Sequence, residues 1–225
     1  MAKNKKKKKR LIIVPAVLCI AVLALGWGFY IENKDSFRGF KGGSMTYFGK
    51  NEIPEEYIPV YKEAEEEYGV PWNLLASIHR IETVFSTMDN MVSPAGAIGH
   101  MQFMPCTFVG WNYPGCAGGL GDAEIAEDEM TDPDVINEYG GYGVDASGNG
   151  KADPWDIEDA VFSAAKFLAA NGAAEGNYEN AVFAYNRADW YVDEVLEYAD
   201  NYSEDFVAVD KSEQTVMKLF SSFLP

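Results

Sequence analysis

The sequence predicts a mainly helical domain preceded by one N-terminal membrane-crossing helix, and three observations carry that expectation. Apolar residues recur at helical spacing in several segments of the body. No segment shows the period-two alternation of a half-buried strand. Residues 11–31, LIIVPAVLCIAVLALGWGFYI, run without a charge for about the length a helix needs to cross a hydrocarbon core.

Charge orients that apolar run. The chain has 225 residues, with 18 Lys and Arg against 35 Asp and Glu. Lys3, Lys5, Lys6, Lys7, Lys8, Lys9 and Arg10 stand together before it, and no acid interrupts them. Residues 1–10 therefore read as a cytoplasmic tail, residues 11–31 as a single-pass anchor in the cell membrane, and the acidic remainder as extracytoplasmic. Cleavage near Ala24-Leu25-Gly26, as in a secretory signal, is the competing reading. Trp27, Phe29, Tyr30 and Ile31 extend the apolar run with aromatics where an interfacial belt sits, which favours an uncleaved anchor. The acidic body repels phosphates, so no nucleic-acid partner is expected.

Residues 32–53 mix Gly, Ser, Lys and Asp without apolar periodicity and read as a tether. Helical signals begin at Pro54 and run to Gly69, a natural stop. A second helix opens at Pro71, with Leu74, Leu75, Ile78, Ile81 and Phe85 as its apolar stripe. The centre, residues 88–155, is loop-rich, with Pro105 placed to start another helix. Asp156 is a candidate N-cap for a third strong helix bearing Ala160, Val161, Ala164, Phe167 and Leu168, with Asn171-Gly172 as its stop. Two more follow over 179–185 and 188–202. One domain is therefore expected over 54–202, with a C-terminal tail at 203–225.

Glu82 interrupts the apolar stripe of the second helix, one turn after Ile78 and on the same face. A carboxyl in such a place loses hydration, which raises its pKa and suits it to general-acid chemistry near neutral pH. The plain alternative is a solvated helix-end acid or one paired with Arg80 or His79.

The surroundings of Glu82 are informative. Ile81-Glu82-Thr83-Val84-Phe85 resembles the E-S-x-F signature of the lytic transglycosylases, relatives of goose-type lysozyme. Residues 93–105, SPAGAIGHMQFMP, resemble that family's S-x-x-G-A-x-G-x-M-Q-x-M-P block, and Ala184-Tyr185-Asn186 its late A-Y-N block. Thr83 stands where the family has Ser, and His100 where it often has Leu. The resemblance implies a lysozyme-like fold and cleavage of peptidoglycan glycan strands at the MurNAc-GlcNAc β-1,4 bond. Glu82 would be the catalytic acid/base, with Ser93, Met101, Gln102, Tyr185 and Asn186 lining the sugar cleft. It also implies an intramolecular displacement by the substrate's C6 hydroxyl, leaving a 1,6-anhydromuramoyl end, where most glycosidases use two carboxylates. No cofactor is needed for that chemistry. A hydrolytic muramidase using Asp89, and a catalytically silent glycan-binding part of a secretion or conjugation apparatus, are the other readings.

Residues 145–156 fit a twelve-residue calcium loop, with Asp145, Ser147, Asn149, Lys151, Asp153 and Asp156 at the ligand positions and Gly150 at the sharp turn. The membrane-bound B branch of the family carries such a loop, which implies a structural calcium. The alternative is an Asx-rich turn in which Asp156 caps the next helix. Outside the membrane, Cys106 and Cys116 could form a disulfide closing a short loop, contributing about 2–3 kcal/mol, or remain free thiols.

Overall fold

The computed structural model describes residues 48–117, 119 and 121–210. The basic tail, the apolar run at 11–31, most of the tether at 32–53 and residues 211–225 of the C-terminal tail lie outside the described residues. Among the described residues no helix is long and apolar enough to cross a membrane.

The fold is mainly helical. A short strand β1 (Glu52–Pro54) leads through a 3-10 turn, Glu55–Tyr57, into α1 (Ile58–Tyr68). Gly69, at φ +69°, ends α1 and returns its N–H to the Glu65 carbonyl. Pro71 then precedes α2 (Trp72–Thr83). The middle of the chain forms three short helices, α3 (Pro105–Val109), α4 (Glu127–Met130) and α5 (Pro133–Tyr139). Asp156 caps α6 (Ile157–Ala170) by accepting the Glu158 and Asp159 N–H groups. A second 3-10 turn, α7 (Tyr178–Tyr185), α8 (Asp189–Glu204) and β2 (Val207–Val209) complete the order.

Helix α2 is the centre of the packing. It lies against α1 and α8, and α6 covers α1 and α7. The core between them is filled by Tyr61, Leu75, Ile78, Val161, Leu168 and Tyr191, each essentially inaccessible to solvent. Arg80 is buried on α2. Its guanidinium donates to the Phe48, Gly49 and Glu52 carbonyls and to the Tyr202 hydroxyl, and it lies 4.4 Å from the Tyr198 ring centroid. One charged side chain thus fastens the beginning of the folded segment to its last helix.

The structure differs from the sequence reading in four places. Strands exist, but each has three residues, too few for alternation to show; β1 and β2 pair in parallel with Ile53 opposite Ala208. The folded segment accordingly extends past 54–202 at both ends, because residues 48–53 and 203–209 pair or pack within it. Helices α4 and α5 arise inside the expected loop region. They are short and acidic and bury only Met130 and Ile136 respectively, so periodicity could not reveal them. Finally, α2 stops at Thr83, and Phe85 is buried by a turn of opposite hand rather than by continuation of the helix.

Candidate active site

That turn fixes the site. Val84, Phe85 and Ser86 all adopt left-handed backbone angles, at φ 51°, 55° and 60°. Left-handed residues other than Gly cost about 1–2 kcal/mol each, and β-branched Val84 is a marked exception to preference. Several contacts hold them there. The Val84 N–H donates to the Arg80 carbonyl, Phe85 N–H to His79 and Thr87 N–H to Thr83. Phe85 sits edge-on to Phe48 and His79 in the core. Thr83 Oγ1 accepts the Ser86 N–H and donates to the His100 carbonyl, so the hydroxyl retained at this position is structural.

A chain of side-chain hydrogen bonds runs through the same place. Tyr61 Oη lies 2.6 Å from His79 Nδ1, His79 Nε2 2.7 Å from Ser86 Oγ, and Ser86 Oγ 2.6 Å from His100 Nδ1. His100 Nε2 ends the chain 2.9 Å from the Trp155 carbonyl. His100 is therefore a linker between the Glu82 turn and the 145–156 loop.

Glu82 is half-buried at the end of α2. Desolvation of its carboxyl pushes the pKa up to about 7, opposed by one hydrogen bond from Tyr191 Oη to Oε1 at 2.6 Å. Neither suspected neighbour neutralises it. Arg80 is engaged with backbone carbonyls and Tyr202, and His79 with Tyr61 and Ser86. Burial raises the Tyr191 and Tyr185 hydroxyls well above their ordinary values, with the Glu82 charge contributing to both, so these two phenols and the carboxyl form one electrostatic group.

A cleft of about 600 Å³ lies beside this group, lined by Gln102, Trp111, Tyr142, Phe167, Tyr185 and Arg187 among others. Gln102 has a left-handed backbone, φ 51°, and its side-chain amide donates to the Met91 and Gly99 carbonyls. Strain concentrated at a cleft residue fits a binding position. Tyr185 donates to the Met101 carbonyl and stacks edge-on with Phe103 and Phe167. Met101 itself is fully buried, which corrects the expectation that its side chain lines the cleft; it supplies a carbonyl and core volume instead. Ser93 closes a tight turn, its Oγ accepting the Ala97 N–H, and does not line the cleft. Asn186 follows Tyr185 directly, half-buried, with no side-chain hydrogen bond among the described residues.

Tyr191 was not foreseen from the sequence. Its spacing to Val195, Ala199 and Tyr202 is that of an ordinary buried helical stripe, and no local motif separates it from the rest.

In the 145–156 loop, Asp145 accepts the Asn149 and Gly150 N–H groups, Asn149 accepts from Lys151, and Asp153 from Trp155. Asp156 faces the first turn of α6 as its cap. The carboxylate turned into the loop is Asp159, fully buried, which accepts the Ala146, Ser147 and Asp153 N–H groups. Burial pushes its carboxyl up while those N–H bonds oppose the rise. Among the described residues no group of three or more acids, His or Cys is gathered as a metal site. The oxygen donors suit a hard cation, but Asp156 does not fit the ligand role expected of it. Cys106 and Cys116 form a disulfide with Cα atoms 5.7 Å apart, closing residues 107–115 beside α3.

Removing the Tyr191 hydrogen bond removes the influence that holds the Glu82 pKa down. Tyr191→Phe should therefore titrate above pH 7 at Glu82, read by carboxyl NMR; an unchanged or lower value would contradict the assignment. Glu82 also sets a pH-dependent stability. Its folded pKa lies above its unfolded value, so stability is lost as pH rises from about 4.5 through about 7. Above that range Glu82→Gln should be more stable than the parent by at most about 3 kcal/mol, a gain absent near pH 4.

Residues 59–142 match the transglycosylase SLT domain, a span that holds Glu82, Ser93 and Gln102 but ends before Tyr185 and Tyr191. The chain is 26% identical over 142 residues to an L-Ala--D-Glu endopeptidase of Bacillus subtilis (strain 168), covering 63% of this chain and 40% of that protein. The chain thus spans less than half the length of that relative. No solved structure matches. The match to the transglycosylase SLT domain over residues 59–142 agrees with the resemblance of the motifs to the lysozyme-like lytic transglycosylases.

Proposed function

We propose that this protein is a peptidoglycan lytic transglycosylase that cleaves the MurNAc-GlcNAc β-1,4 bond, with Glu82 as acid and then base. The observation that carries the reading is the Glu82 carboxyl, held by burial at a pKa of about 7 beside an aromatic cleft. Protonated Glu82 donates to the glycosidic oxygen as the bond to C1 breaks. The resulting carboxylate then takes the proton of the C6 hydroxyl as that oxygen bonds to C1, giving the 1,6-anhydro end and restoring the acid. Tyr191 orients the carboxyl. The substrate's own hydroxyl serves as nucleophile in this reading, so that no second carboxylate is required.

Glu82→Gln keeps the shape and removes the transferable proton, so turnover on purified walls should fall about 10²–10⁴-fold. Parent products should weigh one water less than hydrolytic ones, and Asp89→Asn should lose little. Asp89 is exposed beyond the left-handed turn, and the muramidase reading uses it or another loop carboxylate to hold water. Reducing muramic ends together with an inactive Asp89→Asn protein would establish that reading. Full activity of Glu82→Gln would overturn both, and absence of cleavage by the parent with retained glycan binding would leave the silent role in a secretion or conjugation apparatus.

For location, the reading is an anchor at residues 11–31 with the catalytic domain outside the membrane, supported by the basic cluster preceding that run. The full chain should fractionate with membranes. Recovery from the medium of a protein beginning near Trp27 would replace the anchor by a cleaved signal.

A structural calcium in the 145–159 loop is a separate reading, supported by the oxygen donors of Asp145, Ser147, Asn149 and Asp153 and by Asp159 facing the loop. Calcium should then raise the melting temperature relative to chelator. Equal melting in both would remove the metal.

A further inference from the structure

The described residues contain six Lys and Arg side chains amid a large excess of acids. Most are committed to the fold or to solvent. Lys50 pairs with Glu197, Arg80 is buried among carbonyls, Lys166 donates to the Gly141 carbonyl, Lys62 lies over Trp72, and Lys151 is exposed on its loop. Arg187 is different. It lines the cleft, is exposed to solvent, and has no hydrogen bond or ion pair among the described residues; even Asp189, two residues on, is not bridged to it.

The lining around it sharpens the contrast. Among the described residues no acid and no other base borders the cleft, whose walls include Trp111, Tyr142, Phe167 and Tyr185. Trp111 is 51% exposed and presents an apolar face on which a sugar ring can pack. Tyr185, which lines the cleft, also lies within the field of Glu82. An acidic protein repels an anionic strand at long range, and a single guanidinium in an otherwise uncharged aromatic cleft supplies the local exception. The planar fork of Arg matches a carboxylate in a two-point contact.

We propose that Arg187 forms a carboxylate-binding subsite that selects muramoyl units of the glycan strand over neutral amino sugars. The inference rests on the glycan-cleaving reading above. The carboxylate has two sources: the free lactyl group of a stem-free muramoyl residue, or a carboxylate of an attached peptide stem.

Binding can be measured in the Glu82→Gln protein, where ligands survive, with and without Arg187→Gln. The probes are three oligosaccharides of equal length: a wall fragment with peptide stems, the same fragment without stems, and a neutral N-acetylglucosamine oligomer. Arg187→Gln should weaken at least one carboxylate-bearing probe about tenfold, the lower range for an exposed charged hydrogen bond. It should leave the neutral oligomer unchanged, and the difference should shrink with salt. Loss confined to the stem-bearing probe assigns the stem carboxylate, and loss on the stem-free probe assigns the lactyl group. Equal weakening of all three, or no weakening, with melting temperature preserved, overturns the subsite while leaving glycan cleavage standing. Failure of the Arg187-containing protein to bind any of the three overturns the subsite together with the reading on which it rests.

Discussion

The hydrogen-bonded chain from Tyr61 to the Trp155 carbonyl is the constraint on which the site depends. A carbonyl can only accept, so the terminal link requires a proton on His100 Nε2. The remaining links then follow in one direction with both rings neutral. Ser86 donates to His100 Nδ1, His79 Nε2–H donates to Ser86, and Tyr61 donates to His79 Nδ1. Four separate parts of the sequence are joined at the end of α2 by this arrangement. Three consecutive left-handed residues would otherwise relax, and Glu82, two positions before them, would lose its defined place.

Fixing Glu82 there opposes stability. A half-buried carboxyl with a single phenol as partner is disfavoured when charged, and among the described residues no cation pairs with it. The nearest candidate, Arg80, has been turned to another face of the helix, where it secures residues 48–52 and Tyr202. Had Arg80 paired with Glu82, the acid would have stayed ionised at neutral pH and been unfit to donate a proton. The same guanidinium thus serves stability while standing apart from Glu82.

Much of this was legible in the sequence because it lies in short contiguous motifs. Glu82 stood out as an acid within an apolar helical stripe, and Gln102 and Tyr185 came with blocks whose order matched a known family. What was not legible depends on contacts between distant segments. Tyr191 reaches Glu82 across 109 positions and looks like core from its spacing. The left-handed turn at 84–86 contains no Gly to announce it. Asp159 lies three residues beyond the loop template, inside a helix, and enters the loop only because α6 begins by turning it inward. Met101 went the other way: its block was recognised, but side-chain direction within the block is decided by packing.

Loop and cleft are also mechanically continuous. The His100 N–H donates to the Pro154 carbonyl and its ring to the next one, Trp155. Gly99 approaches so closely that a Cβ there would stand 2.0 Å from the Pro154 oxygen, which leaves only glycine at that position. Gly99 in turn accepts from Gln102, the strained residue of the cleft. Asp159 anchors the loop to α6 through three backbone N–H groups, and the loop anchors residues 99–102 through two carbonyls. Residues 145–159 are thereby connected by hydrogen bonds to Gln102 and, through His100 and Ser86, to the turn that holds Glu82.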